Sequence, residues 1–147
     1  MTSSGCRFSM RQAGTILRFA TDGPGFTDIT GDVTAWVEST GIKDGLLALL
    51  CRHTSASLLI TENASPAVRR DLLRWLDRAA PRGIAYEHDD EGPDDMPAHL
   101  RSALTGVNLS LPVAGGRLML GTWQGIFLAE HRDAPHRREV ACHVIGA

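Results

Sequence analysis

The sequence predicts an antiparallel α+β domain, and three observations carry that prediction. Several short runs rich in Leu, Val and Ile read as strands. Two to three other segments space their apolar residues as helices do. The two kinds of segment do not alternate strictly, as a doubly wound parallel sheet would require. A length of 147 residues fits one domain spanning 1–147 with a real core.

In chain order, residues 1–13 read as poorly structured. Thr15-Ile16-Leu17-Arg18-Phe19 then reads as a strand, closed by the turn cluster Asp22-Gly23-Pro24-Gly25. Ile29, Val33, Trp36 and Val37 recur at helical spacing, with Thr27, Asp28 or Thr30 as N-cap and Gly41 just past the end. Leu46 to Cys51 is apolar without alternation, which predicts a central strand covered on both faces. A shorter strand over Ser57–Thr61 follows. Ser65-Pro66 opens a helix that Pro81 stops, with Val68, Leu72, Trp75, Leu76 and Ala79 as its apolar face. Its arginines 69, 70, 74 and 78 read as a solvated surface.

Residues 86–95 hold six carboxylates, a density that repels itself unless something positive lies near. Asp94 or Asp95 caps a short helix to about Leu104, with Met96, Leu100, Ala103 and Leu104 as its apolar face and His99 at the edge of that stripe. Beyond it the chain is β. Val107, Leu109, Leu111 and Val113 alternate with polar residues. Ala114-Gly115-Gly116 turns into Arg117–Leu120, Ile126–Glu130 follows a glycine-flanked break, and Val140–Ile145 is the last strand.

Composition excludes some functions. A net charge of −2 argues against a dedicated nucleic-acid binder. No apolar run reaches the length of a membrane span, and the N-terminus lacks the apolar core of a signal peptide. Cys6, Cys51 and Cys142 include no CxxC pair, and their odd number is a poor disulfide framework, so a reducing, cytoplasmic setting is expected.

The densest chemistry lies in His53-Thr54-Ser55 through Glu62-Asn63, on towards Asp71. Polar groups at the ends of buried strands are costly unless paired. His53, His88 and His99, with Glu62, Asp71 and Glu130, can form a divalent-metal site or an acid/base cluster. The alternative is three histidines hydrogen-bonded separately. Thr54 and Ser55 can present hydroxyls and amides to an anion, or simply form a local turn. Arg137-Arg138 offers bidentate phosphate binding, or surface charge. Trp123 beside Gln124 can wall a pocket, and flanking Gly121 and Gly125 favour that over the core. His131 and His136 flank a loop and read as surface.

Taken together, His53-Thr54-Ser55-Ala56-Ser57 through Glu62-Asn63, Tyr86-Glu87-His88-Asp89, Ala98-His99-Leu100, Gly121-Thr122-Trp123-Gln124 and Glu130 resemble the YjbQ family, from about Gly14 to the C-terminus. The resemblance implies a β-rich antiparallel, jelly-roll-like sandwich with helices packed on it, assembled as a homotrimer. It also implies a polar pocket built from these motifs at a subunit boundary, metal binding, and a weak thiamine-phosphate synthase activity. That reaction needs a departing diphosphate neutralised by a metal or an arginine.

The expected site follows from both readings. His53, His88 and His99 converge on one divalent cation, zinc or magnesium. Glu62, Asp71, Glu130 and His53 are the candidate catalytic groups, with Glu62 or Glu130 as base. Thr54, Ser55, Asn63, Trp123, Gln124 and Arg137 bind a phosphorylated small molecule. A metal-dependent hydrolase and a non-catalytic ligand-binding trimer are the competing readings.

Overall fold

A computed structural model describes residues 9–147. The expected poorly structured segment lies mostly outside those residues, as does Cys6, and Arg11–Ala13 already belong to the first strand. Two antiparallel sheets and three helices form an α+β fold. The larger sheet has the order β1-β8-β3-β5-β6, built from β1 (Arg11–Thr21), β3 (Gly45–Cys51), β5 (Asn108–Ala114), β6 (Arg117–Leu118) and β8 (His136–Gly146). The smaller has the order β2-β7-β4, from β2 (Gly25–Asp28), β4 (Ala56–Glu62) and β7 (Gln124–Glu130). Inward residues of both sheets, among them Leu47, Leu49, Leu111, Val140, Leu58 and Leu128, meet in one core. Helix α1 (Thr30–Thr40) adds Val33 and Val37 to it.

Local chemistry sets the element ends. The Asp28 carboxylate accepts the Thr30 N–H at 2.9 Å, and Gly41 takes the left-handed φ of 71° after α1. Helix α2 (Pro66–Ala79) has Ser65 and Pro66 at its start as expected. The Ser65 hydroxyl makes no capping bond there, and the Glu62 carboxylate accepts the Ser65 N–H at 2.9 and 3.1 Å. At the tight pairing of Gly45 with Gly146, a Cβ on either residue would fall within about 2.2 Å of backbone atoms, so only glycine fits.

Three expectations about apolar faces fail in the same direction. β3 is central in its sheet but covered on one face only, and Leu46 and Leu50 stay 47% and 45% exposed. Helix α2 buries Leu76 and leaves Trp75 exposed. Helix α3 (Asp95–Thr105) turns Asp95, Ala98, Arg101 and Ser102 inward, while Ala103 and Leu104 face out. The cause in α3 is local: Arg101 reaches Asp77 at 2.9 Å, and the Ser102 hydroxyl donates to the Ala56 carbonyl at 2.9 Å. Those bonds fix the rotation of a helix whose apolar residues are too few to fix it. Among the described residues no helix is long and apolar enough to cross a membrane.

Candidate metal centre

The start of α3, the end of the strand that precedes Thr54 and the acidic loop before Asp94 converge on one carboxylate. Asp95, 2% exposed, presents Oδ2 to His88 Nε2 at 2.8 Å and to His99 Nε2 at 3.2 Å. One ligand atom from each of the three lies within 4.8 Å of the others. Zinc bonds of about 2.0–2.1 Å in a tetrahedron put neighbouring ligand atoms about 3.3 Å apart. The two distances from Asp95 Oδ2 to the rings, 2.8 and 3.2 Å, lie close to that figure.

The surrounding bonds fix which atoms are offered. His99 Nδ1–H donates to the Thr54 carbonyl at 3.0 Å, leaving Nε2 to face Asp95. His88 turns Nε2 inward to Asp95, while its Nδ1 lies on the outer side, 3.5 Å from an oxygen of exposed Asp90. Arg132 holds the other oxygen of Asp95, Oδ1, at 2.5 Å and Asp94 Oδ2 at 2.9 Å. Burial alone would raise the Asp94 carboxyl, but the Asp133 N–H and the Arg132 guanidinium together hold it below the usual range. On the open side of His88 lies a cavity of about 330 Å³ lined by Tyr86, Asp89, Met96 and Pro97.

His53 is not part of this group. Its Nε2 accepts the Glu139 N–H at 2.7 Å, which uses the lone pair a metal would need. Burial, helped by Arg138, lowers its pKa. Asp95 takes the place expected of His53. Its spacing to His99, four residues on a helix, puts both on one face and was the available signal.

Glu130 is likewise not free for catalysis. It is 2% exposed, and its oxygens accept from the Thr21 hydroxyl, the Arg138 fork and the N–H groups of His131 and Arg132. Strand alternation points Arg138 inward to this carboxylate and leaves Arg137 in solvent, so Arg137 reaches no site residue. Ser55 is buried, with its hydroxyl and carbonyl accepting from Arg138, and Thr54 contributes its carbonyl to His99. His131, expected at the surface, is buried against the Ser57 hydroxyl at 2.8 Å, and burial pushes its pKa down to about 4.

Four other expected residues, Glu62, Asn63, Trp123 and Gln124, gather at the opposite end of β4. Seven residues of strand span about 20 Å between the two ends. There Glu62 pairs with Gln124 across the sheet and Asn63 N–H donates to the Trp123 carbonyl. Trp123 is 64% exposed and lies outside the core. Asp71 is exposed and pairs with Arg74 at 3.0 Å. Within one chain, then, the motifs form two clusters and not one.

Residues 15–147 match the family model described as UPF0047 protein YjbQ-like. A UPF0047 protein of Synechocystis is 49% identical over 147 residues, covering 99% of each chain. The UPF0047 protein YjbQ of Salmonella typhimurium is 52% identical over 123 residues, covering 83% of this chain and 89% of its own. The chain belongs to the YjbQ-like UPF0047 family. A solved YjbQ-like relative from Sulfolobus solfataricus, described as of unknown function, has a TM-score of 0.88 at 25% identity, covering 95% of this chain and all of that one. A conserved hypothetical protein from Thermus thermophilus gives 0.78 at 41% identity, covering 87% and 97%. Family membership thus accounts for the fold and for the order of motifs along the chain. His53 is next to the centre in sequence only: Thr54, the residue after it, gives its carbonyl to the His99 ring, while the His53 ring turns to Glu139.

Proposed function

We propose that the chain is a metal-assisted enzyme that binds one divalent cation, zinc in preference to magnesium, at His88, Asp95 and His99. One observation carries this reading. Both ring nitrogens of His99 face acceptors, the Thr54 carbonyl and the Asp95 carboxylate. A neutral imidazole has a single N–H, so one of those contacts lacks a hydrogen. A cation held by His99 and Asp95 would resolve that deficit, and His88, whose Nε2 faces the same carboxylate oxygen, would be its third ligand. Two imidazoles and one carboxylate suit zinc-type ions better than magnesium, which prefers oxygen. Three protein ligands leave a fourth position open, the pattern of catalytic zinc.

A divalent cation bound there supplies Lewis-acid charge to a phosphate oxygen or a departing diphosphate. The chain's own groups set the rest. Asp89 and its acidic neighbours repel a bare anion, so a phosphorylated substrate enters only where that charge is offset. Thr54 fixes the His99 tautomer, and Arg132 fixes Asp95. The family resemblance supports thiamine-phosphate formation as the reaction class. Elemental analysis of the purified protein should find about one zinc per chain. The metal-loaded protein should release diphosphate from the two thiamine precursors, and chelation should abolish release. Protein that is metal-free and takes up none on titration would end the reading. Metal without diphosphate release, but with turnover of a single phosphate ester, would favour hydrolysis.

The same reading takes the chain as a homotrimer, in which the cluster at Glu62, Asn63, Trp123 and Gln124 can meet the metal centre of a neighbouring copy. Its support is the outward apolar face of the large sheet, where Leu46, Leu50 and Ile145 are exposed around a trough of about 660 Å³. Contiguous apolar patches of this kind mark association surfaces. Light scattering should give three times the chain mass. Leu50→Arg, placing a charge in that face, should shift the protein to monomer, and a monomeric wild type would refute the assembly.

A further inference from the structure

His88 sits in the middle of the segment that joins α2 to α3, and inside that segment its ring comes only as near as 3.5 Å to an oxygen of exposed Asp90. Residues 80–94 contain no strand or helix, and Glu87, Asp89, Asp90 and Glu91 are exposed carboxylates crowding the histidine. Among the described residues, the hydrogen bonds tying residues 81–93 to the sheets come from Arg132 and Asp133 alone. These two consecutive residues follow β7 and take opposite ends of the segment. The Asp133 carboxylate receives both guanidinium nitrogens of Arg82, one at 2.6 Å. Arg132 spreads its donors over the far end, with Nη2 on the Glu91 carbonyl at 3.0 Å, Nε on Asp94 and Nη1 on Asp95. The Asp133 N–H adds a bond to Asp94 Oδ2 at 2.9 Å.

We infer that Arg132 and Asp133 act as a clasp that positions the metal centre, setting where His88 stands and which oxygen Asp95 presents. The inference rests on the metal-centre reading above. Its chemistry is that of a planar fork. Arginine can hold a carbonyl and two carboxylates in fixed directions at once, while lysine carries the charge without the fork. With Oδ1 of Asp95 held by Arg132, Oδ2 is the atom left for the two rings. Neither clasp residue offers an atom to the cation, so both are positioning residues. Arg132 acts through Asp95, and Asp133 acts through Arg82 and the loop.

The two halves of the clasp also differ in a useful way. Arg132 is mostly buried, and its loss can disturb folding. The Arg82–Asp133 pair is 39% and 51% exposed, and exposed pairs add little to stability. Asp133→Asn therefore separates positioning from folding.

The test is titration of the metal-stripped full chain with zinc, and with cobalt for its visible spectrum, alongside the melting temperature of each metal-free variant. Arg132→Gln should bind about 10- to 100-fold more weakly, the range for outer partners of metal ligands. Arg132→Lys should recover part of that loss. Asp133→Asn should weaken binding to a smaller degree with an unchanged metal-free melting temperature, and should alter the cobalt absorption bands. A wild-type chain that binds neither ion overturns the metal centre itself. If the wild type binds and His99→Ala does not, wild-type affinity and spectrum in Asp133→Asn and in Arg132→Gln overturn the clasp alone. Should Arg132→Gln fail to fold, Asp133→Asn decides.

Discussion

Glu130→Gln should cost about 3–5 kcal/mol of folding stability, the scale for stripping one partner from a buried ion pair. The substitution keeps the shape of the side chain and removes its charge. It strands Arg138, 4% exposed, which has Ser55 as its other partner. For a domain of this size the melting temperature should fall by about 10 °C. The pH dependence has a definite sign. Burial raises the Glu130 carboxyl, but Arg138, Thr21 and the Arg132 N–H together bring it below its ordinary value. A depressed carboxylate stabilises the fold above the unfolded carboxylate range and loses that contribution as pH falls through its folded value. His131 adds a loss at higher pH. Held neutral down to about 4 by burial, it resists a proton that the unfolded chain accepts below about 6.5. That difference amounts to about 3 kcal/mol, surrendered between those two values. Denaturation at neutral and acidic pH measures both effects. A loss under about 1 kcal/mol for Glu130→Gln, as for an exposed pair, would mean that water already reaches Arg138.

How much of this was legible in the sequence depended on how much of each pattern is local. The serine–proline start of α2, Gly41 after α1 and the Gly115-Gly116 hairpin depend on neighbours within a few residues, and all appear where expected. β2 was hidden, because its four residues pair with β7 a hundred positions away. The apolar faces of β3 and α3 misled, since an apolar residue can face a partner surface as well as a core. At the site, sequence supplied His88 and His99 but not the carboxylate between them, because Asp95 read as one capping acid among six. Arg137 and Arg138 were indistinguishable until strand pairing fixed which one faces Glu130. Glu130 ends an apolar strand, and only the folded chain shows that the Arg138 fork and the Thr21 hydroxyl meet its carboxylate there.

Asp95→Asn should remove tight metal binding while leaving the fold intact, and either orientation of the new amide explains why. The native carboxylate serves three partners at once: Oδ1 accepts from Arg132 at 2.5 Å, and Oδ2 faces both His88 and His99. An asparagine has one oxygen and one NH2 group to share among them. With the oxygen towards Arg132, the NH2 points at the two ring nitrogens and at the cation position, where a donor repels a metal. With the oxygen towards the rings, the NH2 meets the Arg132 guanidinium, donor against donor, and the negative charge offsetting that arginine is gone. Affinity for zinc should therefore fall by about 100-fold or more, beyond the range for outer partners. Acidification should produce a parallel loss in the wild type, since protons compete with the cation for the ring nitrogens. The fold should survive, because Asp94 still binds Arg132 and the Asp133 N–H, and Arg101 and Ser102 still seat α3. Calorimetric titration with zinc and circular dichroism of the metal-free variant measure the two halves. Wild-type zinc affinity in a folded Asp95→Asn chain would remove Asp95 from the centre and leave the two imidazoles without a shared ligand.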